Sequence, residues 1–314
     1  MRIWSPRLDK RYADRVALLV AILPHLAREP DFALKGGTAI NLFEHDLPRL
    51  SVDIDLGWLR AQSFEEDAAL IREALGRLAD TLAKPPLKLD VVLSRPAGAG
   101  TLHRIVASRR GAQVQIETSP VMRGTVHPTR TMVLQPSIEK QFGFASTRVF
   151  HFADLYAGKM AAALSRQHPR DLFDVRLLLG THGISDELWR TFLVYLTASP
   201  KPAAELLDPA APVDFDRVFA AQFEGMTREA VTPEDLLEAR ARLLAEIRRR
   251  LDGPSRDFLL SVEQERADFA LIGLPQAALL PGVRWKLQNL ERRDENKRSA
   301  DLSKLIAVLK QAGR

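Results

Sequence analysis

Asp53 and Asp55 stand two residues apart in Arg49-Leu50-Ser51-Val52-Asp53-Ile54-Asp55-Leu56. Side chains alternate between the faces of an extended strand. Val52, Ile54 and Leu56 are therefore predicted to enter a core, and Ser51, Asp53 and Asp55 to share the opposite face. Paired carboxylates on one face offer hard oxygen ligands to one or two divalent cations, Mg²⁺ or Mn²⁺. Just upstream, Phe32-Ala33-Leu34 reads as a short strand running into Gly36-Gly37-Thr38 and then a helical pattern. Backbone amides at such a turn can cradle phosphate oxygens. A phosphate cradle beside a metal-binding acid pair is the chemistry of nucleotides, with Gly36, Gly37, Thr38 and Ser51 as its nucleotide-binding residues.

Further acids and one lysine extend the set. Glu117 ends the alternating run Ala112 to Thr118 and is the candidate third metal ligand. Lys159 lies in a helix rich in Ala and Leu, and Asp171 and Asp174, three residues apart, share a face of the next. Attack on an α-phosphate with pyrophosphate leaving gathers negative charge, which metal ions and a lysine near the triphosphate stabilise. On that logic Asp53, Asp55 and Glu117 hold metal and Lys159 meets the triphosphate. The plain alternatives are a solvated strand face for the aspartates, an exposed edge acid for Glu117, a solvated helix lysine for Lys159, and an N-terminal salt-bridge cluster for Arg170, Asp171 and Asp174.

The elements that must position these residues follow from periodicity. Residues 11–28 form an amphipathic helical pattern that Pro24 is expected to kink or end. Ser63 with Glu66 is a capping box opening a helix over 64–83, which Pro85-Pro86 stops. Three alternating runs, 87–93, 102–107 and 112–118, read as an antiparallel meander. Short strands at 131–134 and 147–150 flank a polar loop. From residue 150 the pattern turns helical, with segments at 153–166, 170 onward, 185–198, 215–224, 233–252, 254–264 and 277–312. The expected division is 1–150 and 151–314.

Composition sets the outer bounds. The chain of 314 residues is 46% hydrophobic and 27% charged, with no cysteine, which excludes disulfides and Cys-based zinc sites. Its longest apolar run, Val16 to Leu23, is too short to span a bilayer, and the opening residues 1–6 carry no apolar signal, so a cytoplasmic protein is expected. A net charge of +5 leans towards an anionic partner. Residues 277–312 hold eight basic side chains (Arg284, Lys286, Arg292, Arg293, Lys297, Arg298, Lys304, Lys310) against four acidic ones, with Trp285 interleaved. That segment reads as a surface for RNA phosphates or as a solvated basic helix.

Four stretches together resemble the AbiEii/MenT-type nucleotidyltransferase toxins: G-G-T-A-I at 36–40, R-L-S-V-D-I-D at 49–55, A-D-L-Y-A-G-K-M-A-A-A-L-S-R at 153–166 and R-D-L-F-D-V at 170–175. R-W-K-L-Q-N-L at 284–290 is similar to the ending of these toxins. The resemblance implies an α+β fold, a DNA polymerase β-like mixed-sheet domain followed by a helical one. It implies NMP transfer from NTP, in some members onto tRNA 3′ ends, and a cognate antitoxin encoded alongside that is a DNA-binding repressor. By motif position Asp53 and Asp55 are metal ligands, and Lys159 with Asp171 or Asp174 completes the catalytic set; Ser51 corresponds to a serine open to phosphorylation in antitoxin kinase-type control. Two other classes stay open: a small-molecule nucleotidyl- or phosphotransferase, and a catalytically silent nucleotide- or RNA-binding module.

Overall fold

A computed structural model of the protein describes residues 10–94, 104–118, 122–251 and 253–312. Residues 1–6, read above for a signal, and residues 102–103, read as the start of the second meander strand, lie outside these. The chain forms two compact units. The first is Met1–His151 with Gly225–Ala230, and the second is Phe152–Glu224 with Val231–Arg314.

The first unit begins with helix α1 (Lys10–Leu26). Pro24 lies inside α1 and does not end it, because one missing N–H so near the C-terminus removes a single bond. Strand β1 (Phe32–Lys35) runs into a four-residue helix α2 (Gly36–Ala39), continued by a π-turn over Ile40–Glu44. Strand β2 spans Ile54–Trp58, so it starts later than the alternation at 49–56 predicts. Helix α3 (Phe64–Ala83) opens on the predicted capping box of Ser63 and Glu66. Strands β3 (Asp90–Ser94), β4 (Arg104–Arg109) and β5 (Ala112–Thr118) form the meander. Strand β6 (Arg130–Val133), helix α4 (Pro136–Phe142) and strand β7 (Ser146–Val149) follow. The expected polar loop between the last two strands is thus a helix, started by Pro136 in its first turn.

One mixed seven-stranded sheet results, in the order β3-β4-β5-β2-β1-β7-β6. β1 pairs antiparallel to β2 and parallel to β7, and β2 pairs parallel to β5. α1 and α3 pack on this sheet through Val16, Leu19, Ile22, Leu23, Ile71, Leu75 and Leu78, all at most 4% exposed. Gly57 in β2 is required by close packing, since a Cβ there would overlap the Phe150 ring.

An interaction distant in sequence fixes the segment leading into β2. Arg49 forms a β-bridge with Thr227, and Leu50 N–H donates to the Met226 carbonyl at 2.8 Å. Arg228 N–H donates to the Pro48 carbonyl at 3.0 Å. Residues 225–230 therefore act as a short splint along the chain just before the two aspartates.

The second unit is helical: α5 (Phe152–Arg166), α6 (Pro169–Thr181), α7 (Asp186–Thr197), α8 (Ala203–Leu207), α9 (Phe215–Gln222), α10 (Pro233–Arg250), α11 (Gly253–Glu263), α12 (Pro281–Glu291) and α13 (Glu295–Ala312). In its basic C-terminal segment three of the eight cations are held by partners within the fold. Lys286 is buried, and its Nζ donates to the carbonyls of Ser199 and Lys201 at 2.8 and 2.9 Å. Arg293 pairs with Glu263 and Asp301 at 2.9 and 2.7 Å, and Arg298 with Glu265 at 2.6 Å. These three cations hold the fold together. Arg284, Arg292, Lys297, Lys304 and Lys310 remain exposed, as does Trp285. Among the described residues no helix is long and apolar enough to cross a membrane.

Candidate active site

In the first unit, β1 delivers the chain to Gly36, whose φ of +71° lies in the left-handed region that favours glycine. A Cβ at Gly36 would overlap the Asp55 carboxylate, so the turn backbone lies directly against that acid. A Cβ at Gly37 would come 2.7 Å from Arg49 Nη2 and 2.9 Å from Ser51 Oγ. Gly36 is thus demanded by its backbone conformation, whereas a side chain at Gly37 would require the Arg49 guanidinium and the Ser51 hydroxyl to move aside. Thr38 is fully buried; its hydroxyl lies 3.0 Å from Ser51 Oγ and donates to the Asp53 carbonyl at 2.5 Å. Its side chain ties the turn to the acidic segment, which leaves the backbone amides as what this turn can offer a ligand. No side chain caps the first turn of α2.

Strand register brings the acids together. Lys35 on β1 pairs with Asp55 on β2, Asp55 with Glu117 on β5, and Glu117 with Arg104 on β4. Residues paired in register point to one face. A row therefore crosses four strands with two carboxylates at its centre and a cation at each end. Arg104 Nε holds Glu117 Oε1 at 2.7 Å. Two like charges in register repel, and here the flanking cations offset that repulsion. Asp53, Asp55 and Glu117 are half-buried and offer the carboxylate oxygens that a hard divalent cation such as Mg²⁺ prefers; register joins Asp55 to Glu117, while Asp53 stands just ahead of β2. Glu117 would have to exchange Arg104 for the metal to join it.

The second unit gathers the other predicted residues. Lys159 lies on α5 and is 7% exposed. Its Nζ bonds Asp171 Oδ1 at 2.8 Å and Asp174 Oδ2 at 2.9 Å, both on α6. His168 caps α6 through its Nδ1, which accepts from Arg170 N–H at 3.1 Å, and Pro169 fills the first helical position. Asp171 then falls in the first turn, where the helix dipole favours an anion. Arg166 Nε and Nη2 also donate to Asp171, at 2.5 and 3.0 Å. Burial opposes ionisation of Asp171, but Lys159 and Arg166 outweigh it and hold the carboxyl well below the usual carboxylate range. Lys159 is thus a buried, doubly paired cation and not the solvated lysine of the plain alternative. Arg49, Lys35, Arg104 and Arg166 were not among the sequence-predicted site residues. Arg49, Lys35 and Arg166 carried a signal, since they open the acidic motif, precede the glycine turn and close the lysine-bearing helix.

A predicted consequence concerns Gly36. Gly36→Ala should leave the protein folded, at a cost of about 1–2 kcal/mol for a left-handed non-glycine residue, while displacing the Asp55 carboxylate. The expected result is a Tm lowered by a few degrees with nucleotidyl transfer reduced at least about 100-fold, since misplacement of a reacting group by about 1 Å has that effect. Transfer that fell only in step with the folded fraction would separate Gly36 from the site.

The family match, with a fold that agrees with it, makes the chain a nucleotidyltransferase. The model of the AbiEii family, nucleotidyltransferase toxins of type IV toxin–antitoxin systems, matches residues 17–289, and the chain belongs to that family. Among solved structures it is similar to the nucleotidyltransferase toxin MenT4 from Mycobacterium tuberculosis H37Rv. That likeness has a TM-score of 0.58 at 14% identity over 95% of each chain, and it establishes the fold. No curated protein matches the sequence.

Proposed function

We propose that this protein is a metal-dependent nucleotidyltransferase toxin of the cytoplasm that moves NMP from NTP onto RNA, the acceptor being the 3′ end of tRNA. The observation that carries the reading is the in-register pair Asp55 and Glu117 beside the Gly36 turn. Asp53, Asp55 and Glu117 hold the metal, which when bound neutralises charge on the triphosphate and the leaving pyrophosphate. The Gly36-Gly37 amides and Ser51 orient phosphate oxygens, and Thr38 fixes the turn through the Asp53 carbonyl. Lys159, Asp171 and Asp174 are required for the same reaction. An RNA acceptor agrees with the net charge of +5 and with the exposed Arg284 and Trp285 on α12 and Arg292 just after it. A cognate antitoxin, a DNA-binding repressor encoded alongside, completes the system.

The test is incubation of the purified protein with each labelled NTP, total tRNA and Mg²⁺, with Asp53→Ala alongside. Label in tRNA from wild type alone, lost on chelation with EDTA, is the expected result. Metal-dependent NTP consumption without labelled RNA would replace the acceptor with a small molecule. Neither signal, even with the partner gene co-expressed, would leave a silent binding module.

A further inference from the structure

A cavity of about 400 Å³ opens in the first unit between the start of α1 and the turn joining β4 to β5. Its lining includes Arg11, Tyr12, Asp14, Arg15 and Arg110. Among its described lining residues three guanidinium groups stand with one carboxylate, a net cationic lining. Arg15 is fastened at one edge, its Nε donating to the Gln113 carbonyl at 3.0 Å. Arg110 is exposed, sits at a φ of +51° and makes no ion pair among the described residues. Gly111 follows at a φ of +83°, so the turn that projects Arg110 is built from two consecutive left-handed residues, an arrangement that costs energy at the non-glycine position. The proposed chemistry does not use this cluster, of which Arg15 also ties α1 to β5.

The cavity lies at the opposite end of β5 from Glu117. Ala112 lines it, and five residues of strand, roughly 17 Å, separate the two positions. A group bound here is therefore too far away to be the phosphate of the reacting nucleotide at Asp55 and Glu117. Guanidinium forks recognise phosphate oxygens bidentately, and a cavity open to solvent admits a phosphodiester without enclosing its base.

We infer that the Arg11–Arg15–Arg110 cavity is a second nucleic-acid site, which takes backbone phosphates of the RNA acceptor several nucleotides from its reacting end. The inference rests on the RNA-acceptor reading above and adds where that acceptor is held.

The experiment compares wild type with the double variant R11E/R110E, which leaves the Arg15 anchor in place, by fluorescence polarisation of labelled tRNA across a salt series. Circular dichroism and thermal melting first establish that the variant is folded; if it is not, R110E alone, on the exposed turn, takes its place. NTP binding is measured in parallel. The expected result is at least tenfold weaker tRNA binding, with the slope of log K against log salt reduced by about 2, one for each phosphate that the variant no longer neutralises, and unchanged NTP affinity. Equal tRNA affinity and slope in the two proteins would overturn the cavity while leaving RNA as the acceptor. Loss of an NTP-binding step without change in tRNA affinity would overturn it too, assigning the cavity to a free nucleotide. Wild type that binds no tRNA at low salt would remove the acceptor reading itself, and the cavity proposal with it.

Discussion

Replacing Asp53 or Asp55 by alanine is expected to reduce nucleotidyl transfer at least about 1,000-fold, because each removes a carboxylate worth several kcal/mol to a metal-assisted step at 1.36 kcal/mol per decade. The effect on stability should be small, and for Asp55 its sign is informative. Asp55 is in register with Glu117, and like charges so placed are destabilising. Removing one of them should leave Tm unchanged or slightly raised. Asp53→Ala keeps the backbone carbonyl that accepts the Thr38 hydroxyl, so the tie between turn and acidic segment survives. Thermal melting with labelled-NTP transfer on the same samples decides the matter. Undiminished transfer in either variant would make the acidic row surface charge. A large fall in Tm for Asp55→Ala would mean that the acid serves the fold, with Lys35, its other neighbour in register, as the partner to test next.

What the sequence revealed of this arrangement was local. The capping box at Ser63 and Glu66, the meander and the start of the lysine-bearing helix rest on side-chain period and cap chemistry within one element. Those signals act between residues a few positions apart, and the structure follows them closely. Pairings between distant segments were invisible. Residues 225–230 splint the chain at Pro48–Leu50, far away along the sequence, and no periodicity announces such a partner. The basic C-terminal segment was legible only in part, for the same reason. Arg293 reads as a surface cation until Glu263, thirty residues earlier, is found beside it. Glu117 could be proposed from its place at a strand end, but its register with Asp55 depends on β2 and β5 being parallel neighbours, a property of the whole sheet. Arg104, which occupies Glu117, depends on that register in turn.

Lys159→Met is expected to do two things at once. Lys159 is the cation shared by two buried carboxylates, and removing one partner of a buried pair costs about 3–5 kcal/mol. Arg166 still holds Asp171, whereas the fully buried Asp174 loses its bond to Lys159. The single variant should melt well below wild type and lose transfer, which alone would not tell a catalytic cluster from a structural one. Lys159→Met combined with Asp174→Asn restores the balance of buried charge and should recover most of the stability. If the cluster serves the reaction, transfer stays reduced by about 100-fold or more, the scale of losing one preorganised electrostatic stabiliser. Recovery of transfer together with stability would make the cluster a buried strut between α5 and α6. The pH profile adds a separate check on the strut component. Because the Asp171 carboxyl is held below its unfolded value, its contribution to stability is present above about pH 4 and is lost as pH falls below that, towards its folded value. Lys159 supplies part of that depression, so in either variant the stability lost between neutral pH and strong acid should be smaller than in wild type. An unchanged acid profile would mean that Arg166 alone sets the state of Asp171.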